Sequence, residues 1–183
     1  MISGQLAAAE RERIAGLLTE SRDLFLASIR DLSQAQWNFK LSEDIWSIAE
    51  CCDHVGGAES LFLNLVKSRL IVDPVRAEAV QGKEKIVHKA VSNRQIRVKV
   101  PVPIAPFDAI GTPQEFELAF AAARQTTLEY VHTTQDPLHA GVYKHFVLGD
   151  FDGAQWLELI AAHCLRHRDQ IEEVKSSAGY PQA

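Results

Sequence analysis

Four long stretches of this chain repeat their apolar residues with the period of an α-helix. Positions i, i+3, i+4 and i+7 share one helix face, so such repeats mark helices that turn one side inward. The first runs from about Gln5 to Arg30, with Leu6, Leu17, Leu24, Phe25 and Leu32 on or near one face and Arg11, Glu12, Glu20 and Arg22 mostly away from it. Ser33 with Gln36 then offers a capping box for a short turn ending near Trp37. Ser47 and Glu50 form a second capping box, opening a helix that continues to about Leu70. Its expected inner stripe is Ser47, Cys51, His54, Ala58, Leu61 and Leu65, flanked by Phe62. Gly56-Gly57 weakens that helix by roughly 1 kcal/mol per glycine.

The helical period disappears from Ile71 to Gly111, where Asp73-Pro74, Gln81-Gly82 and Pro101, Pro103 and Pro106 mark a long connection. Within it, Gln95 to Val100 alternates like a half-buried strand. Thr112-Pro113-Gln114-Glu115 starts the third helix, which carries Phe116, Phe120, Ala123, Thr127 and Val131 at core spacing. A second connection spans about Thr133 to Phe151. Asp152 then caps the fourth helix, with Gln155 three residues on, and Ala178-Gly179-Tyr180-Pro181 ends it. The pattern predicts an all-α four-helix bundle, one domain over 1–183, with a long crossover between the second and third helices.

Two histidines change this picture. His163 and His167 lie one turn apart on the stripe that also collects Trp156, Leu159, Ile160, Ile171 and Val174. Buried imidazoles need polar partners. A shared metal ion is one answer, and bonds to buried backbone or carboxylate groups are the other. His54 on the second helix also points inward, and a third imidazole from a facing helix would complete a three-histidine site with an open position for water or substrate. His132 falls on the outer face of the third helix. His88, His139 and His145 fall in connections, although His145 could approach an open site.

Composition narrows the partners. The chain has 183 residues, 46% of them hydrophobic, and a net charge of −5, enough for a real core and unsuited to gripping a phosphate backbone. No run reaches the ~20 apolar residues of a membrane span, and the first residues do not read as a signal peptide. Three cysteines cannot all pair within one chain, and no C-x-x-C occurs, so a reduced cytoplasm is expected. Cys51, Cys52 and Cys164 read as small core residues, with Cys51 also a candidate metal-adjacent thiol. Trp37, Trp46 and Trp156 could line a pocket, but their spacing beside core residues reads first as packing.

The segment Trp46-Ser47-Ile48-Ala49-Glu50-Cys51-Cys52-Asp53-His54 resembles the W-S-x-x-E-x-x-x-H signature of DinB/YfiT-like proteins. The stretch Gly153–Ile171, with His163, Arg166, His167 and Gln170, is similar to that family's C-terminal histidine pattern, and Leu32–Trp37 to a third conserved turn. The resemblance implies a divalent metal, zinc or nickel, held by His54, His163 and His167, and often a homodimer. It further implies metal-assisted activation of a low-molecular-weight thiol, for S-transfer to a small electrophile or for a thiol-dependent isomerisation. Glu50 would either orient the His54 ring or serve only the Ser47 cap. The alternatives are a metal-dependent hydrolase and a non-enzymatic stress or interaction protein with a structural metal.

Overall fold

The structure is a computed structural model that describes residues 4–94, 104, 107 and 111–182. Among the described residues it contains helices α1 (Ala8–Ile29), α2 (Gln34–Asn38), α3 (Ile48–Ser68), α4 (Pro74–Val80), α5 (Glu84–Ser92), α6 (Pro113–Thr133) and α7 (Gly153–Lys175), with strands β1 (Ile71–Val72), β2 (Gly141–His145) and β3 (Gly149–Asp152). The protein is mostly helical. The alternating segment from Gln95 to Val100 lies outside the described residues.

Three of the four long helices, α3, α6 and α7, and the short α2 start where their caps were expected, while α1 opens at Ala7 with no side-chain cap. Ser33, Ser47 and Asp152 each close a full capping box, and Thr112 accepts from the Glu115 N–H with Pro113 at the first turn. Helix α1 packs against α6 and α7, and α3 packs against the same two helices from the other side. Every residue from 151 to 162 is buried, so the first half of α7 is covered all round. Two apolar clusters surround it: Ile14, Leu18, Trp156, Leu157 and Ile160 in one, and Phe25, Trp37, Phe116, Phe120, Cys164 and Ile171 in the other.

Three features depart from the sequence reading. The connection after α3 is not structureless: α4 and α5 lie within it, and α5 packs on α7. A small antiparallel sheet, in the order β1-β2-β3, joins that connection to the one before α7, pairing Ile71 with Val142 and Tyr143 with Phe151. The inner stripes are also displaced. In α3 Cys51 and Ala58 are buried as expected, but so are Ile48, Cys52, Val55, Glu59, Leu63 and Val66, while Leu61 is 47% exposed. The buried face is broader than the expected stripe and centred later along the turn, which leaves His54 on its shoulder, half-buried. In α1 the inward face takes in Ser21 and Ser28, whose hydroxyls donate to the carbonyls of Leu18 and Phe25, and Leu24 is turned out.

A buried polar knot ties the long helices together. Arg124 on α6 donates through Nε and Nη2 to both oxygens of Glu59 on α3, each at 2.8 Å. Its Nη1 reaches the Leu18 carbonyl and the Ser21 hydroxyl on α1, and Thr127 donates to Glu59 at 2.6 Å. A bare guanidinium or carboxylate here would be very costly, so each group is held by the other. Gly56 on α3 has a different task. Phe107 from the crossover lies flat on it, and a Cβ there would stand 2.4 Å from the Phe107 ring. The Phe107 N–H donates to Asp53 at 2.6 Å, so ring and amide are seated together.

Candidate metal centre

Helices α3 and α7 bring three imidazoles to one point. The Ser47 cap sets where α3 begins, and His54 follows two turns later. The Asp152 cap does the same for α7, which presents His163 and His167 one turn apart. The Nε2 atoms of His54 and His163 are 3.1 Å apart, and those of His163 and His167 are 3.2 Å apart. One ligand atom from each of the three residues lies within 4.8 Å of the others, and together they could hold a metal ion.

The donor set fits such an ion. Burial, as the largest cause, holds His54 down at about 4 and keeps His163 and His167 well below the usual histidine range, with neighbouring histidines and Arg166 adding to it for the last two. All three rings are therefore neutral near pH 7, as imidazole ligands must be. A neutral ring nitrogen either donates one hydrogen or accepts with one lone pair, so His163 Nε2 cannot satisfy both of its facing nitrogens. Two nitrogens at about 2.0–2.1 Å from a common ion, at angles of about 90–110°, lie roughly 2.9–3.4 Å apart. The observed separations of 3.1 and 3.2 Å fall in that span.

Neighbouring side chains set the tautomer of His167. Its Nδ1 stands 3.0 Å from Gln170 Oε1, an oxygen that can only accept, so Nδ1 carries the hydrogen and Nε2 is left free to bind. The same oxygen accepts from Arg94 Nη1 at 3.0 Å, and Arg94 is held in turn by both oxygens of Glu173. Trp46 forms one wall of the site, stacked on His167 at 6.0 Å and tilted against His54 at 5.0 Å. Phe62 forms a second wall, meeting the His163 ring edge-on at 5.5 Å.

Other candidates sit elsewhere. Glu50 is engaged by the Ser47 cap and by Lys40 at 2.8 Å, and makes no contact with His54. Burial pushes the Cys51 and Cys164 thiols up to about 12 and raises Cys52 well above its ordinary value, so all three are inert core thiols. Trp37 and Trp156 are buried in packing, as expected, but Trp46 is 37% exposed and belongs to the site. His132 lies exposed at the surface 4.0 Å from Glu12. His88 lies on α5. His139 bridges Glu10 and Asp152, and His145 ends β2.

Sequence reasoning weighed Trp46 as a pocket residue but preferred packing for it, and passed over Phe62, Arg94 and Gln170 as parts of this centre. Gln170 carried a usable signal, since a side chain three residues after a helical ligand reaches that ligand's far ring nitrogen. Arg94 carried none, because only the docking of α5 on α7 brings it there.

A family model described as DinB superfamily matches residues 17–171 of the chain. Among curated proteins, the chain is similar to the uncharacterized protein YuaE of Bacillus subtilis (strain 168), with 23% identity over 147 residues, 80% of this chain and 88% of that protein. No solved structure matches.

Proposed function

This chain belongs to the DinB superfamily, and from that premise we propose that it is a metal-dependent enzyme that transfers a low-molecular-weight thiol to a small electrophile. His54, His163 and His167 hold a divalent ion, zinc or nickel, in a single four-helix-bundle domain. The observation that carries the reading is the close convergence of three neutral imidazoles between two aromatic walls. When bound, the ion supplies the positive charge that lets a coordinated thiol shed its proton near neutral pH.

The protein's own residues do the rest. Gln170 and Arg94 keep the His167 ring turned so that Nε2 faces the other imidazoles. Trp46 and Phe62 keep water off two sides of the triad and offer flat apolar faces to an acceptor. The buried cysteines stay protonated, which requires the sulfur nucleophile to come from outside the chain. Hydrolysis would need a general base to activate water. Glu50 and Asp53, the carboxylates flanking His54 on α3, are committed to the Ser47 cap and to Phe107. A thiol needs no such base, and that favours transfer over hydrolysis.

The test has two arms. Elemental analysis of the purified chain should find about one equivalent of a divalent metal, and His163→Ala should lose it. Full retention by the variant overturns the site. Incubation of the metal-loaded protein with a panel of small thiols and monochlorobimane should give conjugates that a chelator stops. A metal-loaded protein that conjugates none of them would be a metal-binding protein without this activity.

A further inference from the structure

The hairpin between β2 and β3 carries a fourth histidine towards the triad. His145 pairs with Gly149, whose φ of +82° supplies the left-handed position that a three-residue hairpin loop needs. The loop folds its own amides back on the ring: the N–H groups of Val147 and Leu148 both donate to His145 Nδ1, at 3.2 and 3.1 Å. A ring nitrogen that accepts cannot carry the hydrogen, so the neutral ring carries it on Nε2. Phe146 stacks on the ring at 4.6 Å, with Trp156 at 5.6 Å and Phe151 at 5.8 Å. Burial among them holds His145 down at about 4, which keeps it uncharged.

A line of rings leads from there to the metal centre. Trp156 touches Phe62 at 5.5 Å, and Phe62 meets His163 at 5.5 Å. His145 is near enough to His163 that a charge on one ring would be felt by the other. Among the described residues, no group accepts from its Nε2–H. A loop that fixes which nitrogen bears the hydrogen, and leaves that hydrogen unclaimed, has built a donor.

We propose that His145 is the substrate-side hydrogen-bond donor of this site, and that its Nε2–H takes an oxygen of the electrophile, as in an epoxide or carbonyl acceptor. The proposal rests on the metal-centred reading above and adds the class of acceptor to it. When a thiolate forms the C–S bond and the epoxide C–O bond breaks, the electron pair moves onto oxygen. His145 holds that oxygen by a hydrogen bond and keeps its own proton, because a neutral imidazole is far too weak an acid to release it. The proton that finally neutralises the alkoxide comes from water.

Imidazole nitrogen NMR on the full, zinc-loaded chain tests the donor directly, with His145 assigned by its loss in His145→Phe. The Nε2–H tautomer is expected, and its signal should move when 1,2-epoxy-3-phenoxypropane is added without thiol. A proton on Nδ1, or no response to the epoxide, overturns the proposal. In turnover, His145→Phe should lose about tenfold or more in kcat/KM with the epoxide and several-fold less with benzyl chloride, which offers no oxygen. His145→Gln, which keeps an N–H donor, should recover part of the loss. Equal losses for both electrophiles, or loss of zinc from the variants, would make the residue merely structural and overturn the idea. A wild-type chain that conjugates neither electrophile sinks the transferase reading instead, and the NMR response then decides His145 alone.

Discussion

His139 is caught between two carboxylates, with Nδ1 2.9 Å from Asp152 and Nε2 2.8 Å from Glu10. Hydrogen bonding to Asp152 leads the causes that raise its pKa to about 9, against the opposing effect of burial. Because the folded value lies above the unfolded one of roughly 6.5, the stabilisation is fully present below about pH 6.5 and is lost as pH rises through about 9. Thermal unfolding between pH 6 and 10 should show the melting temperature falling in that window, and His139→Gln should flatten that fall. Trp46 allows a second check at this scale. Its ring lies against two of the three histidines, so nickel binding should quench tryptophan emission, and Trp46→Phe should abolish most of that quenching. The spacing of His163 and His167 was readable because a helix makes i and i+4 neighbours. The place of Trp46 was not, since nothing in its own stretch says whether an aromatic beside a cap faces core or cleft.

At the scale of elements, long helices announced themselves, and of the short ones only α2 did, through its Ser33 capping box. Helices α4 and α5 have 7 and 9 residues, too few to display a period. Asp73-Pro74 looked like a break, yet Asp73 accepts from the Arg76 N–H with Pro74 at the first turn, which is also how a helix begins. The α3 stripe was right at Cys51 and Ala58 but put Leu61 inside because it is apolar, whereas Leu61 is exposed and Glu59 proved to be inside. Gly56 looked like a flaw in that helix and is instead the seat of Phe107. Gly56→Ala should therefore destabilise the protein by about 1–3 kcal/mol despite alanine's better helix propensity, as overpacking does. Chemical denaturation would measure it, and adding Phe107→Ala should recover part of the loss if the clash is the cause.

Across the whole molecule, Arg124 and Glu59 join α6 to α3, while Ser21 brings in α1. This knot was invisible beforehand because charged residues on separate helices give no sign of meeting. Glu59→Leu leaves Arg124 buried and unpaired and should cost about 3–5 kcal/mol in urea unfolding, whereas Glu59→Leu with Arg124→Leu should cost less than the two single changes summed. Metal removal bears on the same scale. Two of the proposed ligands lie on α7 and one on α3, so chelation should lower the melting temperature, and His54→Ala should remove most of that sensitivity.

Helix α7 is both the covered axle of the molecule and the carrier of two candidate ligands, while Trp46 and the 145–149 hairpin approach from separate surface segments. Such an arrangement separates what must stay from what is free to vary. Drift in the rim would retune which acceptors are welcome without disturbing the axle, so lineages sharing this scaffold could diverge in chemistry far faster than in shape.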